Sequence, residues 1–149
     1  MTPRLVLLAV ALVALPSCAG LESLSLSPFM GCSQVMPYTF GERLRGSITE
    51  SDCTFREDPS RRVDYYELRV SQTIDEARLR AGDEGLDPMM ILYTRSGVEL
   101  DRNDDITPVL NTAARVQRRL EPGTYIIAVV PALDGDLGAY ELSATVERD

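Results

Sequence analysis

The chain has 149 residues and a formal charge of −8, from 23 acidic side chains against 15 basic ones, and it contains neither His nor Lys. Without imidazole there is no Ser-His-Asp or Cys-His catalysis and no His-ligated zinc or haem; without lysine there is no Schiff base and no P-loop phosphate lysine. The acidity argues against a dedicated nucleic-acid binder, which needs a basic face, while 44% hydrophobic and 26% charged residues suit an ordinary globular chain.

The first element in chain order is an export segment. Arg4 precedes an unbroken apolar run from Leu5 to Leu15, closed by Pro16-Ser17-Cys18-Ala19-Gly20. The run is short of the ~20 residues that cross a bilayer, so residues 1–17 read as a secretory signal peptide. Leu15-Pro16-Ser17-Cys18 resembles the lipobox of bacterial lipoproteins. That resemblance implies lipidation of Cys18, palmitate included, and attachment to a membrane through the N-terminal lipid. Ala19 in the next position resembles the sorting pattern of outer-membrane lipoproteins, so the expected address is the cell envelope, at the outer membrane. Ordinary cleavage after Ala19 stays open as the alternative. Counted from Cys18, the formal charge becomes −9.

Residues 18–37, rich in Ser and Leu, read as a tether, or alternatively as a short strand pinned by Cys32. Three cysteines in an exported chain leave one odd thiol. With Cys18 assigned to the lipid, Cys32 and Cys53 are expected to pair in an oxidising compartment. Residues 38–149 are expected to form one domain.

The strands follow from period-two patterning. Tyr66, Leu68 and Val70 alternate with Tyr65, Glu67 and Arg69, and Ala77, Leu79 and Ala81 with Arg78 and Arg80. Met89 to Tyr93 and Thr124 to Val130 are apolar on both faces, as central strands are. Ala114, Val116 and Leu120 alternate with Arg115, Gln117 and Arg119, with Arg118 out of phase and suggesting a bulge or a frayed end. Tyr140 to Val146 alternates again. Gly82-Asp83-Glu84-Gly85, Ser96-Gly97, Glu121-Pro122-Gly123 and Asp134-Gly135-Asp136 punctuate the runs. No long helical period follows residue 20. The expected fold class is all-β, an antiparallel β-sandwich following an N-terminal signal peptide.

Several of these pieces stand in a familiar order. Gly46-Ser47-Ile48-Thr49 with Asp52, Val63-Asp64-Tyr65-Tyr66-Glu67-Leu68, Leu86-Asp87-Pro88 with Met89-Met90-Ile91-Leu92-Tyr93, Asn103-Asp104-Asp105, Leu120-Glu121-Pro122-Gly123-Thr124-Tyr125 and Gly138-Ala139-Tyr140-Glu141-Leu142 together resemble the bacterial pre-peptidase C-terminal domain. The resemblance spans about residues 41–146 and implies a jelly-roll-like sandwich of the kind attached to secreted peptidases. Related collagenase modules bind collagen and calcium, although here the domain is expected to stand without a preceding peptidase domain.

The one constellation with site character is acidic. Ser96-Gly97 should close a hairpin that brings Asp87 roughly opposite Asp105, gathering Asp87, Asp101, Asn103, Asp104 and Asp105 at one end of the sandwich. Such a set suits calcium, which takes six to eight oxygens. Turn capping by Asp and Asn is the competing role, so no cofactor is assigned with certainty and Ca2+ is the candidate. Arg115, Gln117 and Arg119 line a solvent face that suits an acidic polymer or mere solvation. No catalytic residues are assigned. The expected function is a non-catalytic, lipid-anchored envelope protein presenting one binding or assembly domain. The alternatives are a calcium-dependent collagen- or polysaccharide-binding adhesin and an accessory or inhibitory subunit of a secreted peptidase. The expected partners are thus a membrane, an extracellular polymer or a peptidase, and no nucleic acid.

Overall fold

A computed structural model describes residues 29, 32, 34–82, 84–105 and 113–146 of the chain. The signal segment, Cys18 and most of the expected tether lie outside the described residues. Among the described residues there are ten strands: β1 (Val35–Tyr38), β2 (Arg43–Ile48), β3 (Cys53–Thr54), β4 (Arg62–Val70), β5 (Ile74–Gly82), β6 (Pro88–Thr94), β7 (Glu99–Asn103), β8 (Ala114–Leu120), β9 (Gly123–Pro131) and β10 (Gly138–Val146). They form two sheets, one ordered β1-β4-β9-β6-β7 with β3 also on β4, the other ordered β2-β10-β5-β8. Set aside β1 and β3, and eight antiparallel strands remain in the interleaved order of a jelly roll. The C-terminal end of the stretch 18–37 contributes β1, which runs parallel to β4 with Val35 opposite Tyr65.

Alternation explains the packing. Leu68, Met90, Leu92, Ile127 and Val129 of the five-strand path meet Leu79, Val116, Leu120, Tyr140 and Leu142 of the other sheet, all essentially inaccessible. Burying each large aliphatic side chain stabilises by about 1.5–3 kcal/mol. β6 and β9 are buried on both faces because a second apolar layer lies outside their sheet. There Tyr65, Ile91, Tyr93, Ala128 and Val130 are covered by Phe29, Phe55 and the Cys32–Cys53 disulfide. The Phe29 ring packs 5.0 Å from that of Tyr65 and 5.3 Å from that of Tyr93. The disulfide joins Cα atoms 5.5 Å apart, as the odd-thiol count predicted. It belongs to an oxidising compartment and hence to an exported protein.

Ion pairs fasten the covering loop between β3 and β4. Arg102 on β7 donates to Glu57 (2.6 Å) and to both carboxylate oxygens of Glu99 (3.0 and 2.7 Å), and the Tyr93 hydroxyl donates to Glu57 (3.0 Å). Burial pulls the Glu57 carboxyl up, but its bonds from Arg102 and Tyr93 outweigh that and hold it below the usual range. At the loop's other end Arg61 reaches Asp134 (2.7 Å) and the Pro131 carbonyl (3.3 Å).

The irregularity suggested by Arg118 is present in the β5–β8 ladder, where the register shifts between the Ile74–Leu120 and Ala77–Arg118 pairs and the extra residue lies on β5. Arg118 donates to the Leu100 carbonyl of β7, while the Asn103 side chain accepts the Arg115 amide (2.9 Å). Together these bonds lace the two sheets at one edge and satisfy backbone groups that an open edge would leave exposed.

Candidate functional site

The hairpin β6–β7 forms at Ser96-Gly97 as the spacing requires. Gly97 has φ 87°, a conformation costly for other residues, and its amide donates to the Thr94 carbonyl (2.9 Å). A register shift at Leu92/Tyr93 puts Asn103 opposite Met90. Asp105 consequently lies near Asp87, and Asp104 and Asp136 are near it too. Burial raises the Asp87 carboxyl above its ordinary value, and the charges of Asp105, Asp104 and Asp136 raise it further. One Asp87 oxygen is buried without a hydrogen-bond partner among the described residues.

The rest of the predicted set is otherwise engaged. The Asp101 carboxylate accepts the Arg102 amide (2.8 Å), and the Asn103 oxygen is taken by the Arg115 amide. Among the described residues no three acidic, Cys or His side chains stand ready to hold a metal ion. The acidic end is therefore three of the five predicted residues plus Asp136, arranged as mutually repelling carboxylates.

A second polar constellation was not singled out in the sequence. The Tyr140 hydroxyl donates to Asp64 (2.6 Å) and shares a hydrogen bond with the Tyr66 hydroxyl (2.6 Å), inside the sandwich. Burial raises the Asp64 carboxyl; the bond from Tyr140 opposes that and the nearby Asp52 charge adds to it. Burial likewise pushes the Tyr66 phenol up to about 12, and lifts Tyr140 further still. The signal was present: Asp64 shares the inward parity of Tyr66 and Leu68, and a carboxyl there requires an inward donor. Such a network holds protons, but its atoms face one another and not a cleft.

The third feature is a surface. Outward positions of β2, β5 and β8 carry Arg43, Arg45, Arg78, Arg80, Arg115 and Arg119, against Asp75 and Glu76 of β5 and Glu141 of β10. Pairing brings these strands side by side, so the Arg115–Gln117–Arg119 stripe seen in the sequence is the margin of a wider basic face. Acidic side chains fringe it: Glu84 lies 3.3 Å from Arg45, and Asp75 and Glu121 both contact Arg119. Two grooves mark the described surface. One of about 490 Å³ lies between Phe40 and the Val70–Asp75 turn, and one of about 380 Å³ runs beside the disulfide along Phe55 and Pro59.

The fold and its surfaces define a class: a jelly-roll sandwich with a packed interior that encloses one Asp64–Tyr140–Tyr66 cluster, its other polar groups lying on its ends and outer faces. Solved structures agree with the architecture. The chain is similar to the pre-peptidase C-terminal domain of a collagenase from Bacillus anthracis, with TM-score 0.57 and 18% identity over 74% of this chain and 94% of that one. It is also similar to PliG of Aeromonas hydrophila, a periplasmic inhibitor of g-type lysozyme, with TM-score 0.50 and 13% identity over 76% and 96%. No family model and no curated protein matches the sequence. At these identities the likeness establishes a pre-peptidase-C-terminal-like fold.

Proposed function

We propose that the chain is a non-catalytic cell-envelope protein, held at the outer membrane by a lipid on Cys18, whose sandwich binds or blocks a partner through its surface. The filled interior carries this reading. Side chains from Tyr66 to Leu142 occupy the space between the sheets, and the enclosed polar cluster is hydrogen-bonded to itself. Recognition then falls to faces, edges and shallow grooves. That a collagenase domain and a lysozyme inhibitor carry a similar fold supports a binding or inhibitory role beside an exported enzyme. Photo-crosslinkers placed at Gln117, on the basic face, and at Arg56, on the opposite side, test it in intact cells. One discrete adduct recurring from one position is the expected result; no adduct from any surface position counts against a binding role. Labelling with a palmitate analogue tests the anchor, and a label that persists in a Cys18→Ala variant sinks it.

A calcium-assisted form of this reading has one observation in its favour, the orphaned buried oxygen of Asp87 beside Asp104, Asp105 and Asp136. A bound cation would satisfy that oxygen and relieve the repulsion. Millimolar calcium should then raise the melting temperature, and Asp87→Asn should abolish the rise. An unchanged wild-type melt would remove calcium from the account.

A further inference from the structure

We propose that the turn joining β9 to β10 is a docking element, which inserts Leu133 and Leu137 into an apolar pocket on a basic protein. The inference rests on the binding-domain reading and names the surface and the chemistry of the partner. Exposure carries it: Leu133 is 61% and Leu137 44% exposed, although Val129, Val130 and Tyr140 on the strands beside them are fully enclosed.

The turn itself does not ask for leucine. Asp134 and Gly135 supply its chemistry, with Gly135 at φ 74° and the Asp136 amide donating to the Leu133 carbonyl (3.4 Å). A single exposed leucine is ordinary on a protein surface. Here Leu133 opens the turn and Leu137 follows its last residue, and the ends of such a turn lie within about 7 Å of each other. The two side chains therefore stand as a pair. The turn is also tied down. The Ala132 amide donates to the Asp87 carbonyl (2.8 Å), and Arg61 donates to Asp134 (2.7 Å) and to the Pro131 carbonyl (3.3 Å). A loop already held in place loses little conformational entropy when a partner closes over it.

Charge selects the partner. Asp87, Asp104, Asp105 and Asp136 gather at the same end of the sandwich, where burial and then the charges of Asp105, Asp104 and Asp136 raise the Asp87 carboxyl. Among the described residues none of these four carboxylates has an arginine at ion-pair distance; Asp134 has one, Arg61. An apolar centre with an acidic surround matches a pocket whose rim carries arginine or lysine. Two other occupants fit worse. An anionic lipid surface would repel the carboxylates before the leucines reached it. A two-fold contact with a second copy would press the same carboxylates together.

The test places a photo-crosslinker at Asp136, between the leucines, in the full-length protein in intact cells, and identifies each adduct by mass spectrometry. The captured protein is then purified and titrated against the wild type with calcium chelated, so that no cation answers the carboxylates. Expected is an adduct with a protein of net positive charge and an affinity that falls as salt rises. Leu133→Ser with Leu137→Ser should lose about tenfold or more in affinity. Both side chains are exposed, so this variant should keep the wild-type melting temperature; if it melts lower, Leu137→Ser alone replaces it. Asp104→Asn with Asp105→Asn should slow association and flatten the salt dependence. Unchanged affinity in the leucine variant would overturn the proposal, as would an adduct formed only with an acidic protein or with a second copy of this chain. Adducts from Gln117 or Arg56 and none from Asp136 would also overturn it and leave the binding-domain reading standing. Silence at all three positions would sink both.

Discussion

Removal of the disulfide, as Cys32→Ala with Cys53→Ala, should lower the unfolding free energy by about 3 kcal/mol. The bond closes a loop with a sequence separation of 21, and a loop of that size loses roughly this much chain entropy when it is tied in the unfolded state. A change of that size corresponds to a melting temperature lower by on the order of 10 °C for a domain of this length. The native state contributes as well. Cys32 follows Phe29 closely, and the bond holds that ring against Tyr65 and Tyr93 over the outer apolar layer. Urea denaturation of the wild type with and without a reductant measures the same quantity without mutation. Curves that superimpose would refute the estimate.

Gly46→Ala should be comparably damaging, at about 3 kcal/mol, though it adds a single methyl group. A Cβ at Gly46 would lie 2.4 Å from Cζ and 2.5 Å from the hydroxyl oxygen of Tyr140, and the Tyr140 ring is fully enclosed. The ring must move, which adds the cost of overpacking to the loss of the bonds to Asp64 and Tyr66. Tyr140→Phe separates the two effects: it keeps the ring and removes only the hydrogen bonds, so it should cost less than Gly46→Ala. The pH dependence distinguishes them further. The Asp64 carboxyl is raised in the folded state, so its contribution is full below the unfolded value near 3.8 and is lost as pH rises through the raised folded value. Without the Tyr140 hydroxyl nothing opposes that rise, and Tyr140→Phe should lose more stability at pH 7 than at pH 4. A loss that is flat with pH would show that Asp64 does not depend on Tyr140.

Most of the strand plan was legible because alternation reports burial directly. β5, β8 and β10 each show one apolar parity, the two central strands β6 and β9 show two, and β4 adds Val63 and Tyr65 on the second parity to Tyr66, Leu68 and Val70 on the first. What lies over the outer parity of β6 and β9 was not legible. Tyr93, Ile91 and Val130 announce that something covers them, but the cover comes from Phe29, Phe55 and a disulfide, held by a loop with no periodicity of its own. Arg118 shows the same limit from the other side. Its phase was visible as an exception, whereas its role depends on which strand of the opposite sheet lies across from it. The acidic end was half legible: proximity of Asp87 to Asp105 followed from counting outward from a hairpin. The capture of Asn103 by the Arg115 amide required the inter-sheet contact. The basic face is the clearest case, since the Arg78–Arg80 and Arg115–Arg119 stripes were each visible and only strand order joins them to Arg43.

The position of the disulfide also has a mechanical consequence. β1 is an edge strand of four residues paired on one side, the kind of element that a pull on a chain end unzips bond by bond. Here a tension applied upstream of Cys32 crosses to Cys53 through the sulfur bridge, and β1 and β2 both lie inside the closed loop. They are off the load path. The first hydrogen bonds to bear force are those of β3 on β4, so the sandwich resists being drawn apart from its N-terminal end as long as the bridge is oxidised.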